Sequence, residues 1–110
     1  MSFQVTLTRS AAADFERRLT SLAERSPHAA ARLNERFKQA LFRLRDIPFS
    51  CGLAYENHLF PEEIRHLLFG LSRKRRYRAL FTIRGQEVLI LAIRAPGEKP
   101  IGRDEMNAKS

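Results

Sequence analysis

The order of apolar patterns predicts an α+β domain. It begins with an N-terminal strand and an α-helical hairpin, followed by a three-stranded antiparallel meander, with the helices on one face of a small twisted sheet. Three observations carry this. Residues 3–7 alternate apolar and polar, residues 12–44 place apolar side chains at three- and four-residue steps, and residues 64–93 return to short apolar runs divided by turn residues. Consecutive strands pair most simply as a meander, and two helices with apolar stripes need a sheet face to bury them.

The first strand is read from Phe3, Val5 and Leu7 alternating with Ser2, Gln4 and Thr6. Thr8 or Ser10 can cap the helix that follows, with Asp14 near its first turn. That helix carries one stripe of Ala12, Phe15, Leu19, Leu22 and Ala23. Ser26-Pro27 ends it and starts the next, because Ser caps well and Pro fits the first helical position. The second helix buries Ala30, Leu33, Phe37, Leu41 and Leu44 and stops before Pro48. Residues 48–63 have no period and read as loop, punctuated by Pro48, Gly52, Asn57 and Pro61; Tyr55 and His58 read as loop side chains. Ile64 to Phe69 form a strand closed by Gly70.

The stretch from Arg73 to Arg94 organises the chain. It opens on Arg73, Lys74, Arg75, Arg76 and Arg78 and continues as two apolar runs split by Gly85. A two-residue turn at Arg84-Gly85 or Gly85-Gln86 makes it a β-hairpin, since Gly accepts the positive φ a tight turn needs. Alternation places Tyr77, Ala79, Phe81 and Ile83 on one face with Val88, Ile90 and Ala92. Arg76, Arg78, Leu80 and Thr82 take the other face, with Leu89, Leu91 and Ile93. This second face is expected to be an open, shallow basic groove. Arg78 is either its functional group or a solvated arginine whose stem covers the apolar floor. Arg65 or His66 can join it from the preceding strand, but alternation forbids both.

A chain of 110 residues suits one domain, 1–110, with 103–110 expected to fray. No apolar run is long enough to span a bilayer, and the N-terminus lacks a signal-peptide core. A lone Cys51 forms no internal disulfide, which suits a reduced, cytoplasmic setting. The net charge of +8 is uneven: +4 over residues 1–50, −2 over 51–70 and +6 over 71–110. Such an excess attracts phosphate backbones and acidic proteins alike. Sixteen of the twenty basic residues are Arg, favouring bidentate recognition of phosphate or carboxylate. No metal or organic cofactor is implied, because no His/Cys/Asp cluster has ligand spacing and no glycine-rich phosphate loop occurs.

IRHLLFG, the basic loop, YRALFTI, the turn at Gly85 and EVLILAI together resemble the RelE/ParE family of type II toxin-antitoxin toxins. LFPEEIRHLLFG is similar to a subgroup labelled plasmid-stabilisation proteins. The resemblance implies a β-α-α-β-β-β fold and a toxin with one of two targets. RelE-like members bind the ribosome and cleave mRNA by 2′-OH attack on phosphate; ParE-like members inhibit DNA gyrase. Of these, the resemblance is read first as the mRNA endoribonuclease, with gyrase inhibition, or a weakened scaffold acting only through antitoxin binding, as the alternatives. It places Arg78 on the family's catalytic arginine, with Arg65 or His66 as accompanying catalytic groups. Arg73, Lys74, Arg75, Arg76, Arg94 and Lys99 become contacts for RNA or for an acidic, amphipathic antitoxin in a hetero-oligomer. Tyr77 faces away from Arg78 and reads as core. Active RNases of the family carry His, Arg or Tyr after the last strand; here Arg94-Ala95-Pro96-Gly97-Glu98-Lys99 follows, with no His or Tyr beyond it.

Overall fold

The computed structural model describes residues 2–100 and Gly102, so the expected tail 103–110 lies outside the described residues. The elements follow the expected order: β1 (Gln4–Leu7), α1 (Arg9–Arg25), α2 (Pro27–Asp46), β2 (Arg65–Gly70), β3 (Arg76–Arg84) and β4 (Glu87–Arg94). Short 3₁₀ turns at Pro48–Ser50 and Asn57–Leu59 break the segment read as loop. The sheet order is β1-β4-β3-β2. β2, β3 and β4 form the antiparallel meander, and β1 joins β4 in parallel, so the sheet is mixed. No helix among the described residues is long and apolar enough to cross a membrane.

Local chemistry sets the helix boundaries. Thr8 caps α1, its Oγ1 accepting from the Ala11 N–H at 3.1 Å. Ser26 serves both helices: its N–H donates to the Leu22 carbonyl at 2.8 Å, and its Oγ accepts from Ala29 N–H at 3.1 Å. Both helices then lie on one face of the sheet. Between them and the strands sit Phe15, Leu33, Phe37, Leu44, Phe69, Phe81, Val88 and Ile90. Phe37 packs between Phe15 and Phe69 at ring-centroid distances of 4.2 and 4.8 Å. The α1 stripe runs through Ala11, which is fully buried, rather than Ala12, which is exposed.

The hairpin turn is Gly85-Gln86, flanked by the pair Arg84 and Glu87. Gly85 alone in it has positive φ, at 60°, the sign pattern of a type II′ turn. Register holds from Ile83 opposite Val88 to Phe81 opposite Ile90, then slips: Leu80 faces Ala92, Ala79 faces Ile93 and Arg78 faces Arg94. Leu91 is therefore the extra residue of a β-bulge. The expected faces of Ala92 and Ile93 are thus exchanged. Ile93 joins the core under the helices, and Ala92 joins Leu80 on the reverse face.

The cap of α1 and one of its side chains satisfy the strand backbone where the ladder is broken. β1 ends at Leu7, and from there Thr8 N–H donates to the Ile90 carbonyl at 3.0 Å. Asp14 Oδ2 accepts from the Ile93 N–H at 3.3 Å. Asp14, read from sequence as lying near the first turn, falls beyond it and does not serve the helix start. It is a buried carboxylate, only 3% exposed, that α1 lends to β4.

The reverse face is not the open groove expected. Residues 51–64 fold across its far half, and Ala54, Phe60 and Ile64 pack on Leu80, Leu89, Leu91 and Ala92 as a second core. Asn57 fixes this segment, its Oδ1 accepting from Ile64 N–H at 2.8 Å. Thr82 Oγ1 donates to the Glu63 carbonyl at 2.9 Å, and Arg84 pairs with Glu62 at 2.8 Å, tying its end to β3.

Replacing Asp14 by Ala leaves the Ile93 N–H buried without that acceptor. The expected cost is about 1–3 kcal/mol of unfolding free energy by urea titration, the scale of an unsatisfied buried donor. An unchanged midpoint would show that the carboxylate does not support the bulge.

Candidate functional site

The bulge decides which cations meet. Strict alternation along β4 would put Arg94 under the helices; the extra residue turns it to the reverse face, directly opposite Arg78. On the other flank His66 pairs opposite Leu80 and Leu68 opposite Arg78, so His66 is the β2 residue that reaches Arg78. The open choice between Arg65 and His66 is thereby settled in position. Arg65 lies opposite Phe81, bonds Glu63 at 2.9 Å and the Cys51 carbonyl at 2.5 Å, and stacks over the Phe49 ring. It fastens the start of the covering segment and is not brought to Arg78.

That segment delivers the residue sequence reasoning missed. Glu56 is fully buried, and its two carboxylate oxygens accept from Arg78 Nη1 at 3.0 Å and Nη2 at 2.9 Å. The pair is bidentate, the strongest arrangement for guanidinium and carboxylate. Arg78 Nη1 also lies 3.5 Å from His66 Nδ1. The Tyr55 ring covers the guanidinium at 4.9 Å and meets the His66 ring edge-on at 5.5 Å. Burial, then the Arg78 charge, pushes His66 below its ordinary value of 6.5, and Glu56 partly opposes this. At neutral pH His66 is therefore uncharged, and its Nδ1 can accept from Arg78. One signal for Glu56 was present: residues 51–70 carry an acidic excess beside the basic hairpin.

The remaining candidates fall into two groups. Arg94 is held by Glu98 at 3.3 Å and by the Lys99 carbonyl, while the Lys99 side chain is exposed. Ala95 to Glu98 form a turn in which Gly97 takes φ 83° and Glu98 N–H donates to the Ala95 carbonyl at 3.2 Å. The Glu98 carboxylate then accepts from Ala95 N–H at 2.6 Å and pairs with Arg18 at 2.5 Å. Arg73, Lys74, Arg75 and Arg76, in contrast, are exposed at the β2–β3 connection. A recess of about 420 Å³ beside this connection is lined by Arg73, Lys74, Arg76, Arg78 and Tyr55. Tyr77 faces the helices and stacks on Phe69 at 5.5 Å, as its expected core role requires.

Chemically, this is a cationic recess whose innermost arginine already holds an anion, the Glu56 carboxylate. Glu56 takes two of the guanidinium's N–H donors, so a phosphate reaching Arg78 would compete with that carboxylate. Among the described residues no group of three or more His, Cys, Asp or Glu is placed to hold a metal ion.

The family model described as the ParE toxin of type II toxin-antitoxin system, parDE, matches residues 5–99. Curated protein sequences give no match. Among solved structures, a chain titled "Chromosomal ParDE TA system from P. aeruginosa" superposes with a TM-score of 0.68 at 24% identity, covering 86% of this chain and 97% of that one. That likeness establishes the shared fold.

Two measurements probe the site. Glu56→Ala strands a buried guanidinium and is expected to cost roughly 3 kcal/mol of stability, whereas Glu56→Ala combined with Arg78→Ala costs less than the sum of the single changes. Additive losses in urea titrations would mean that the pair is not coupled. The His66 midpoint, followed by NMR, should lie below 6.5. It should fall further in Glu56→Gln and rise in Arg78→Met. Because the unfolded histidine binds its proton first, the His66 contribution to stability is lost as pH falls from 6.5 through the folded midpoint. A midpoint at or above 6.5 would contradict the burial argument.

Proposed function

Because the chain belongs to the ParE toxin family of type II toxin-antitoxin systems, we propose that it acts as a toxin on DNA gyrase and is held silent by a cognate antitoxin. The family match carries the choice of target. The Arg78–Glu56 pair supports it from the chemistry. Cleaving RNA through 2′-OH attack needs cations aimed at the developing charge on phosphorus. Here both terminal nitrogens of Arg78 bond Glu56, whose carboxylate is wholly buried. The segment after β4 carries no His or Tyr to protonate a leaving oxygen. The ribonuclease reading, first choice from sequence, therefore yields to its alternative.

One observation still favours the nuclease as a second reading. Tyr55 and His66, absent from the chain's end, meet Arg78 from other elements. For that reading to hold, a phosphate must share Arg78 with Glu56 or displace it.

The antitoxin partner follows from the family and fits the surface. A recess of about 670 Å³ has an apolar floor of Leu22, Leu71, Tyr77 and Pro96 and a rim of Arg17, Arg25 and Arg75. An amphipathic segment with acidic flanks complements both parts.

The deciding experiment incubates the purified protein with gyrase and relaxed plasmid, and in parallel with a ribosome-programmed mRNA. Supercoiling should stop while the transcript stays whole. A cut transcript with normal supercoiling would replace this reading with the nuclease.

A further inference from the structure

Apart from Arg75 on the rim of the antitoxin recess, the gyrase reading leaves the most charged part of the molecule without a role. Residues 72–76 are exposed without exception, and Arg73, Lys74, Arg75 and Arg76 follow one another there. Beyond Arg76, which opens β3, the strand arginines behave differently: Arg78 pairs with Glu56, Arg84 with Glu62 and Arg94 with Glu98. None of the four tip cations enters an ion pair among the described residues. Four adjacent positive charges repel one another, and no carboxylate among the described residues pairs with them to offset that repulsion.

The tip also has a fixed base. Gly70 enters the connection so tightly that a Cβ there would stand 2.9 Å from the Arg75 carbonyl oxygen. More arginines flank it. Arg36 and Arg43 of α2 line, together with Arg73 and Arg76, a recess of about 580 Å³ along β2.

From this arrangement we propose that the β2–β3 tip is a phosphodiester-binding surface for duplex DNA. The inference rests on the gyrase reading for its purpose: the toxin would hold the DNA on which gyrase works. Three features select the ligand. Unpaired, exposed arginines match a regular array of phosphates, which is what a duplex backbone presents. Single strands are held by aromatic platforms that stack on bases, but residues 72–76 contain no aromatic side chain. The two tyrosines beside the tip are already engaged: Tyr77 stacks on Phe69 at 5.5 Å, and Tyr55 has its ring over the Arg78 guanidinium at 4.9 Å. An amphipathic peptide needs apolar anchors; those of the antitoxin recess lie beside the tip, with only Ser72 and Arg75 of it on their border, and residues 72–76 themselves are Ser, Arg, Lys, Arg and Arg.

The test is fluorescence anisotropy of the purified full chain with a labelled duplex of about two helical turns, over a series of salt concentrations. Fold is checked by thermal melting. If all four tip cations meet phosphates, log affinity should fall with log salt at a slope of about −3.6, some 0.9 per neutralised phosphate. The variant R73Q/K74Q/R75Q/R76Q should bind at least tenfold more weakly at about 100 mM salt and show a much flatter slope. R73K/R75K/R76K, which keeps the charge, should retain most of the affinity. The proposal is overturned if the wild type does not bind the duplex, or if the quadruple variant binds equally well. It is overturned too if a single-stranded RNA or poly-glutamate of equal charge binds more tightly than the duplex. Supercoiling measured on the same samples separates the two ideas. Gyrase inhibition without duplex binding defeats only this inference; duplex binding without inhibition defeats only the gyrase reading.

Discussion

Glu56 and Arg78 leave water together, and much of the reverse face depends on their doing so. Either charge alone in that position would be heavily disfavoured. Paired through two hydrogen bonds, they let residues 51–64 close over Leu80, Leu91 and Ala92 and give a small sheet a second core. A domain of this size has little apolar area to spare, so covering the second face adds to a narrow margin. The pair also fixes which segment lies there. A purely apolar contact tolerates sliding, whereas a bidentate ion pair between β3 and a loop has one register.

The parts of the fold legible in the sequence were those governed by local rules. Ser26-Pro27 stated both a stop and a start, and the structure uses Ser26 for both. Gly85 marked the hairpin, and Phe15, Leu33 and Phe37 marked the helix faces that bury. Caps, turn residues and the helical period of about 3.6 suffice for these because each depends on neighbours in the chain.

What alternation could not see was long-range. The bulge at Leu91 inverts the facing of everything after it, so Ala92 and Ile93 were each assigned to the wrong side. No residue in Leu89-Ile90-Leu91-Ala92 announces it. The groups that satisfy its backbone lie about eighty positions away, where Asp14 accepts the Ile93 N–H and Thr8 N–H meets the Ile90 carbonyl. Glu56 was hidden for a related reason. A carboxylate in an aperiodic segment looks like any solvated acid until a guanidinium twenty-two positions on is seen to hold it. Of the candidate site, Arg78 and the tip cations were readable by type and spacing; their opposite fates, one neutralised and the others bare, were not.

That division has a physical logic. A charge inside or against the sheet must be matched, because low polarity there makes an unmatched charge costly. Arg18, Arg78 and Arg94 are accordingly all held by glutamates and little exposed. A charge on a protruding connection stays hydrated, so the fold has no reason to supply a counter-ion. It can accumulate there only at the cost of modest self-repulsion, relieved whenever an anion arrives. The stretch from Arg73 to Arg78 therefore reads as a gradient rather than one site: the farther an arginine lies from the sheet, the more its charge is kept for something outside the molecule. The innermost arginine stabilises the fold, and the outermost ones carry the field that a polyanion would feel first.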